Sequence, residues 1–143
     1  WDRKTSAPIH RYEGTVWDQT YTYVRPQETG NKTDIRWMAL SNGKIGLMAI
    51  GAPTFDGSVH QYPYEDLDHV RHGQKHGKLD IQPKDQVDWL IDYTQMGVGG
   101  DNSWGARPHK QYTLDPRPYH YSFILVPFDA KDDLTRLSKL MIH

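Results

Sequence analysis

The run Asp34-Ile35-Arg36-Trp37-Met38-Ala39-Leu40, then Ser41-Asn42-Gly43-Lys44, then Ile45 to Ile50, constrains this chain more than any other feature. Asn-Gly between two apolar runs predicts a tight hairpin, because both central residues can take positive φ. The same short-period rhythm returns later. Val87, Trp89, Ile91 and Tyr93 alternate with Asp88, Leu90 and Asp92, which predicts a strand with one apolar inner row. Tyr119, Tyr121, Phe123 and Leu125 alternate with His120, Ser122, Ile124 and Val126, and since both rows are fairly apolar this strand is expected to be central. Two stretches carry a helical period instead. One lies around Tyr64 to His72, with Glu65 and Asp66 suited to a positive helix N-terminus. The other runs from Asp132 to Met141, with Leu134, Leu137 and Met141 behind Asp132 and Asp133. The expectation is a mostly β domain of at least two sheets, with one short helix between strands and another at the C-terminus.

Composition narrows what such a domain can do. A chain of 143 residues hides about two-thirds of its extended surface on folding, enough for one core without staples. With 17 basic against 18 acidic residues it lacks the charge surplus of a nucleic-acid or membrane-surface binder. Its mean hydropathy of -0.81 goes with the lack of any long apolar run, so neither a membrane span nor a signal peptide is expected. Zero cysteines exclude disulfides, thiol catalysis and cysteine-based metal sites, and leave the compartment open between cytoplasm and bacterial periplasm. Aromatics reach 12%, led by 9 Tyr and 5 Trp over 3 Phe, which favours sheets and sugar-contacting or interface surfaces. The chain opens on Trp1-Asp2-Arg3, so it is expected to have been processed or cut from something longer.

The most distinctive segment is Met96-Gly97-Val98-Gly99-Gly100-Asp101-Asn102-Ser103-Trp104-Gly105. Its glycines permit backbone angles that side chains forbid, which makes it a shaped loop presenting Asp101, Asn102, Ser103 and Trp104 together. An indole face can carry the C–H face of a sugar ring while the polar neighbours bind hydroxyls or hold the loop, but the residues alone favour a tryptophan packed on its own domain, since large aromatics so often serve packing. A phosphate loop is disfavoured, since the lysine of that motif and its strand–helix setting are both absent. Between Arg25 and Trp37, the residues Arg25, Glu28, Asn31, Asp34 and Arg36 are expected to fix a turn. Catalysis by Glu28 would need a second carboxylate at a distance no sequence supplies. Asn31-Lys32-Thr33 fits a glycosylation acceptor only for a chain secreted from a eukaryotic cell. His69, His72 and His76 reproduce no known zinc spacing and are read as capping a helix C-terminus rather than binding metal.

Several blocks together resemble the C-terminal β-sandwich of family 2 β-galactosidases. They are Asp2-Arg3, Tyr23-Val24-Arg25-Pro26-Gln27-Glu28 on through Gly30-Asn31 to Asp34 and Arg36-Trp37, Glu65-Asp66-Leu67 with His72, and Met96 through Trp104. The resemblance extends to about Val126. Gly97 to Trp104 is its most specific part, while Thr29 departs from the asparagine common there and the segment from Asp132 matches nothing in the family.

The resemblance implies an antiparallel β-sandwich of the galactose-mutarotase-like type, represented here in part. It implies one domain over 1–143 with residues 130–143 as a helical tail. Such a domain packs beside a catalytic (β/α)8 barrel and sends one loop into the galactoside pocket, where Trp104 stacks in the aglycone region and Asp101, Asn102 and Ser103 shape the loop. The catalytic glutamates and the Mg2+ ligands, with or without Na+, would belong to the barrel. Glu13, Glu28 and Glu65 match no barrel motif, so the chain is expected to be catalytically silent alone and to hold no cofactor. Its expected partners are that barrel, the remaining sandwich and the galactoside, with neither nucleic acid nor membrane. An uncovered sheet face is expected to drive self-association into a homo-oligomer. A free-standing carbohydrate-binding module using Trp104 and Tyr112 is the alternative, and a scaffold domain whose aromatics merely pack is a third.

Overall fold

A computed structural model describes residues 8–20, 30–63, 65–68, 81–97, 99–102 and 104–140. Four strands form one antiparallel-dominated sheet: β1 Lys32–Ser41, β2 Ile45–His60, β3 Asp88–Asp92 and β4 Ser122–Asp129. In it β2 pairs with β1, β3 and β4. Single turns of helix, α1 Glu65–Asp68 and α2 Leu134–Leu137, complete the regular structure together with 3-10 turns at Trp17–Gln19 and Lys110–Tyr112. The mostly β expectation holds, and the arrangement is that of a partial β-sandwich. The described residues form one sheet where at least two were expected.

The β1–β2 hairpin forms where the Asn-Gly pair places it, by a different device from the one expected. Gly43 has φ of 87°, whereas Asn42 is not left-handed. Instead the Asn42 Oδ1 accepts from the amides of Lys44 and Ile45, both at 3.0 Å, so a side chain closes the turn. Beyond it, β4 runs antiparallel to the first half of β2, from Ile45 opposite Asp129 to Ala52 opposite Ser122. Pairing ends beside Pro53, which has no N–H to offer a ladder. Among the described residues β4 pairs with β2 alone, so it is an edge strand there, not the central strand expected from its two apolar rows.

The chain divides into two compact units, and β2 gives residues 45–56 to one and 57–60 to the other. In the unit of residues 34–56 and 92–143, strand alternation sorts the side chains. Met48, Ile50 and Phe128 are buried, and Trp37, Ala39, Ile124 and Val126 pack against them. Leu134 and Leu137 of α2 close the same cluster. The helical segment expected over 132–141 is shorter, starting at Asp133, whose carboxylate accepts from Thr135 N at 2.9 Å and Arg136 N at 3.3 Å. In the alternate row Ala49 of β2 is buried as well, while Ile45 at its start is 65% and Leu125 of β4 49% exposed.

In the unit of residues 1–33 and 57–91, Tyr62 and Ile81 form a small buried cluster with Trp17 against it. Asp66 of α1 pairs with Lys84 at 3.2 Å, so the acidic first turn serves an ion pair as well as the helix end. His69, His72 and His76, Arg25 and Glu28, and Met141 lie outside the described residues. The inner row expected of β3 is weaker than alternation suggested, for every residue from Asp88 to Asp92 is only partly buried.

Candidate functional site

The loop that follows β3 is built in tiers from its base to its tip. At the base sits Asp56, a β2 residue only 3% exposed. Its Oδ1 accepts from the Asp34 amide at 3.0 Å, and its Oδ2 from Gln95 N at 2.9 Å and Thr94 Oγ1 at 3.3 Å. A buried carboxylate receiving donors of this kind is satisfied rather than reactive. Asp34 has φ of 54°, the one left-handed non-glycine among the described residues, and the bond from its amide to Asp56 helps hold that conformation. Asp34 thus lies within β1, not in the turn expected there, and its backbone is held by a residue outside the Arg25–Trp37 segment.

One tier up, Gly97 N donates to Tyr112 O at 2.8 Å, tying the outgoing arm of the loop to the returning one. Gly100 then passes so close to the returning arm that a Cβ there would overlap the Ala106 carbonyl. At the tip, His109 Nε2 meets Asp101 Oδ1 at 2.7 Å. Asn102 Oδ1 accepts from Trp104 N at 2.8 Å and from Ala106 N at 3.4 Å. Gly105 follows with φ of 97°. The returning arm ends in the 3-10 turn at 110–112, where Tyr112 N donates to His109 O at 2.8 Å.

This frame leaves Trp104 92% exposed. The backbone around it is held on both sides, and an indole so exposed is not buried in a core of the described residues, which counts against the packed-tryptophan reading. Of the other residues singled out from sequence, Asp101 and Asn102 shape the loop by the bonds above, and Ser103 lies outside the described residues. Tyr112, on the same loop, is 61% exposed.

A family model described as the β-galactosidase small chain matches residues 1–125. The chain belongs to the β-galactosidase small-chain family. It is 40% identical over 129 residues to a β-galactosidase of Priestia megaterium, covering 89% of this chain and 12% of that protein. It is 33% identical over 130 residues to one of Alteromonas mediterranea, covering 91% and 11%, and 35% identical over 122 residues to one of Lactobacillus delbrueckii subsp. bulgaricus, covering 80% and 11%. The chain therefore spans about an eighth of the length of these relatives.

In this small-chain segment the matched region stops within β4, yet α2 beyond it supplies Leu134 and Leu137 to the core. Two residues that organise the loop escape sequence reasoning. Asp56 does carry a signal, a charge set between Phe55 and Gly57 in a stretch from Ile45 to His60 with no other acidic residue. His109 carries none, because its partnership with Asp101 depends on the loop folding back. Among the described residues no three histidine or carboxylate side chains are placed to hold a metal ion. Nor is any helix among them long and apolar enough to cross a membrane.

Proposed function

We propose that this chain is a non-catalytic part of the sandwich domain of a retaining β-galactosidase, and that it presents Trp104 to the aglycone side of the galactoside pocket. The single observation that carries this is an indole 92% exposed on a loop braced from base to tip. A tied backbone that holds an indole out in water presents its face for stacking on a ring from outside its own core. Retaining hydrolysis requires two carboxyl groups about 5–5.5 Å apart across the scissile bond. The parent's other domains would supply them: here Glu13 is exposed and pairs with Arg11, Glu65 opens α1, and Asp56 is committed to the loop base. Trp104 then contributes orientation and binding, not proton transfer.

The magnitude follows from area. Covering one indole face with a sugar ring removes roughly 100 Å² from water, worth about 2.5 kcal/mol before ordering costs. In the parent enzyme Trp104→Ala should raise KM for lactose by about ten- to fiftyfold and leave the pH profile set by the catalytic pair in place. An unchanged KM would sink the proposal. The exposure of Tyr112 on the same loop as Trp104 favours a second reading, a sugar-binding module active without the barrel. Calorimetric binding of galactose or lactose to the isolated chain would support that second reading over the first.

A further inference from the structure

With Trp104 92% exposed, the direction of its indole is set chiefly by the backbone that carries it. Asn102 fixes that backbone over a short span, accepting from Trp104 N and, where the returning arm begins, from Ala106 N. Among the described residues, the side-chain bond that ties the tip farther down the returning arm is the one between His109 and Asp101, the residue next to Asn102. His109 is itself anchored, because its carbonyl accepts from Tyr112 N at 2.8 Å and from Thr113 Oγ1 at 3.3 Å, and Tyr112 O receives Gly97 N. The line of force runs from the 3-10 turn through His109 and Asp101 to Asn102 and then to Trp104.

We propose that His109 is a positioning residue for the Trp104 indole, setting the angle at which it meets the aglycone through its 2.7 Å bond to Asp101. This rests on the reading of Trp104 given above. A carboxylate oxygen accepts, so the proton donated in this bond is the one on Nε2 of His109. Because both side chains are more than half exposed, the strut is modest in strength, and its loss should raise KM by about two- to fivefold, well below the loss of the indole itself.

The test is kinetic, in the full-length β-galactosidase that carries this chain, with lactose as substrate. His109→Ala should raise KM by that factor at nearly constant kcat. His109→Gln, whose Nε2 can reach the same carboxylate oxygen, should return KM most of the way to wild type, and Asp101→Ala should match His109→Ala. In a Trp104→Ala background His109→Ala should change KM no further, which a merely stabilising role would not produce. If Trp104→Ala raises KM while His109→Ala does not, or if His109→Ala acts equally in both backgrounds, His109 does not work through Trp104 and the inference is overturned with the reading of Trp104 intact. If Trp104→Ala leaves KM unchanged, that reading and this inference fall together. Should His109→Ala fold poorly, the His109→Gln and Asp101→Ala pair decides, since a strut requires them to differ.

Discussion

Replacing Asp56 by alanine tests whether the loop base is held by one carboxylate. Two backbone amides, Asp34 N and Gln95 N, donate to it at 3.0 and 2.9 Å, with the Thr94 hydroxyl a longer third donor at 3.3 Å. Hydrogen bonds to a charged group contribute about 1.5–3 kcal/mol each, so the two amides set an upper bound near 6 kcal/mol. Asp34 and Gln95 are exposed residues, and water can reach part of what the carboxylate leaves behind. The expected loss is therefore about 2–4 kcal/mol for Asp56→Ala. Asp56→Asn keeps one carbonyl acceptor but turns an NH2 toward the second amide, and should cost about half as much. Urea unfolding of the 143-residue chain measures both, and at this size each kcal/mol moves Tm by about 3–5 °C. Equal losses for the two variants, or a loss below about 1 kcal/mol for alanine, would refute the account of a shared double acceptor.

Trp104→Ala, which removes an exposed side chain, should leave stability within about 0.5 kcal/mol, against the 3–5 kcal/mol typical of a buried tryptophan; a large drop in Tm would mean that the indole is packed. Burial, and then the nearby Lys32, hold the imidazole of His60 below its ordinary value of 6.5, while Asp88 opposes them. The folded state thus binds fewer protons than the unfolded chain between the lowered value and 6.5, so stability should fall as pH drops through that window and be fully present above it. Unfolding midpoints measured between pH 5 and pH 8 should show this slope, and His60→Gln should flatten it. The exposed side chains of Ile45, Leu47, Tyr121 and Leu125 are expected to drive self-association of the isolated chain. Light scattering at micromolar concentration should find oligomers that Leu125→Glu disperses, and a strictly monomeric wild type would refute it. Gly46→Ala should destabilise by about 1–3 kcal/mol or more, because a Cβ there would overlap both the Phe128 ring and the Leu40 carbonyl; a neutral effect on urea unfolding would contradict the packing of β2 against β4.

The elements were legible in the sequence where the signal is local. Asn42-Gly43 fixed the place of the hairpin because a turn is decided by its own residues, although the side-chain acceptor that closes it is a matter of geometry. Alternation found β3 and β4, but not that β4 lies at an edge, since two apolar rows mean either burial on both faces or one face left open. The glycine-bounded loop and its tryptophan were visible for the same local reason. The ties that brace it were not, because Asp56 and Gln95 are distant in sequence and meet only when β2 and β3 are in place.

By itself the sequence determined the β class, the hairpin, the family resemblance and the loop that carries Trp104, all features encoded by spacing and by residue type over short stretches. Tertiary structure alone decided that Trp104 stands in water instead of in a core, that α2 seals the cluster around Phe128, and that Asp56 and His109 hold the loop at its two ends. The reason is physical: exposure and long-range hydrogen bonding depend on which surfaces meet, and a side chain's type states what it can bind without stating what will be near it.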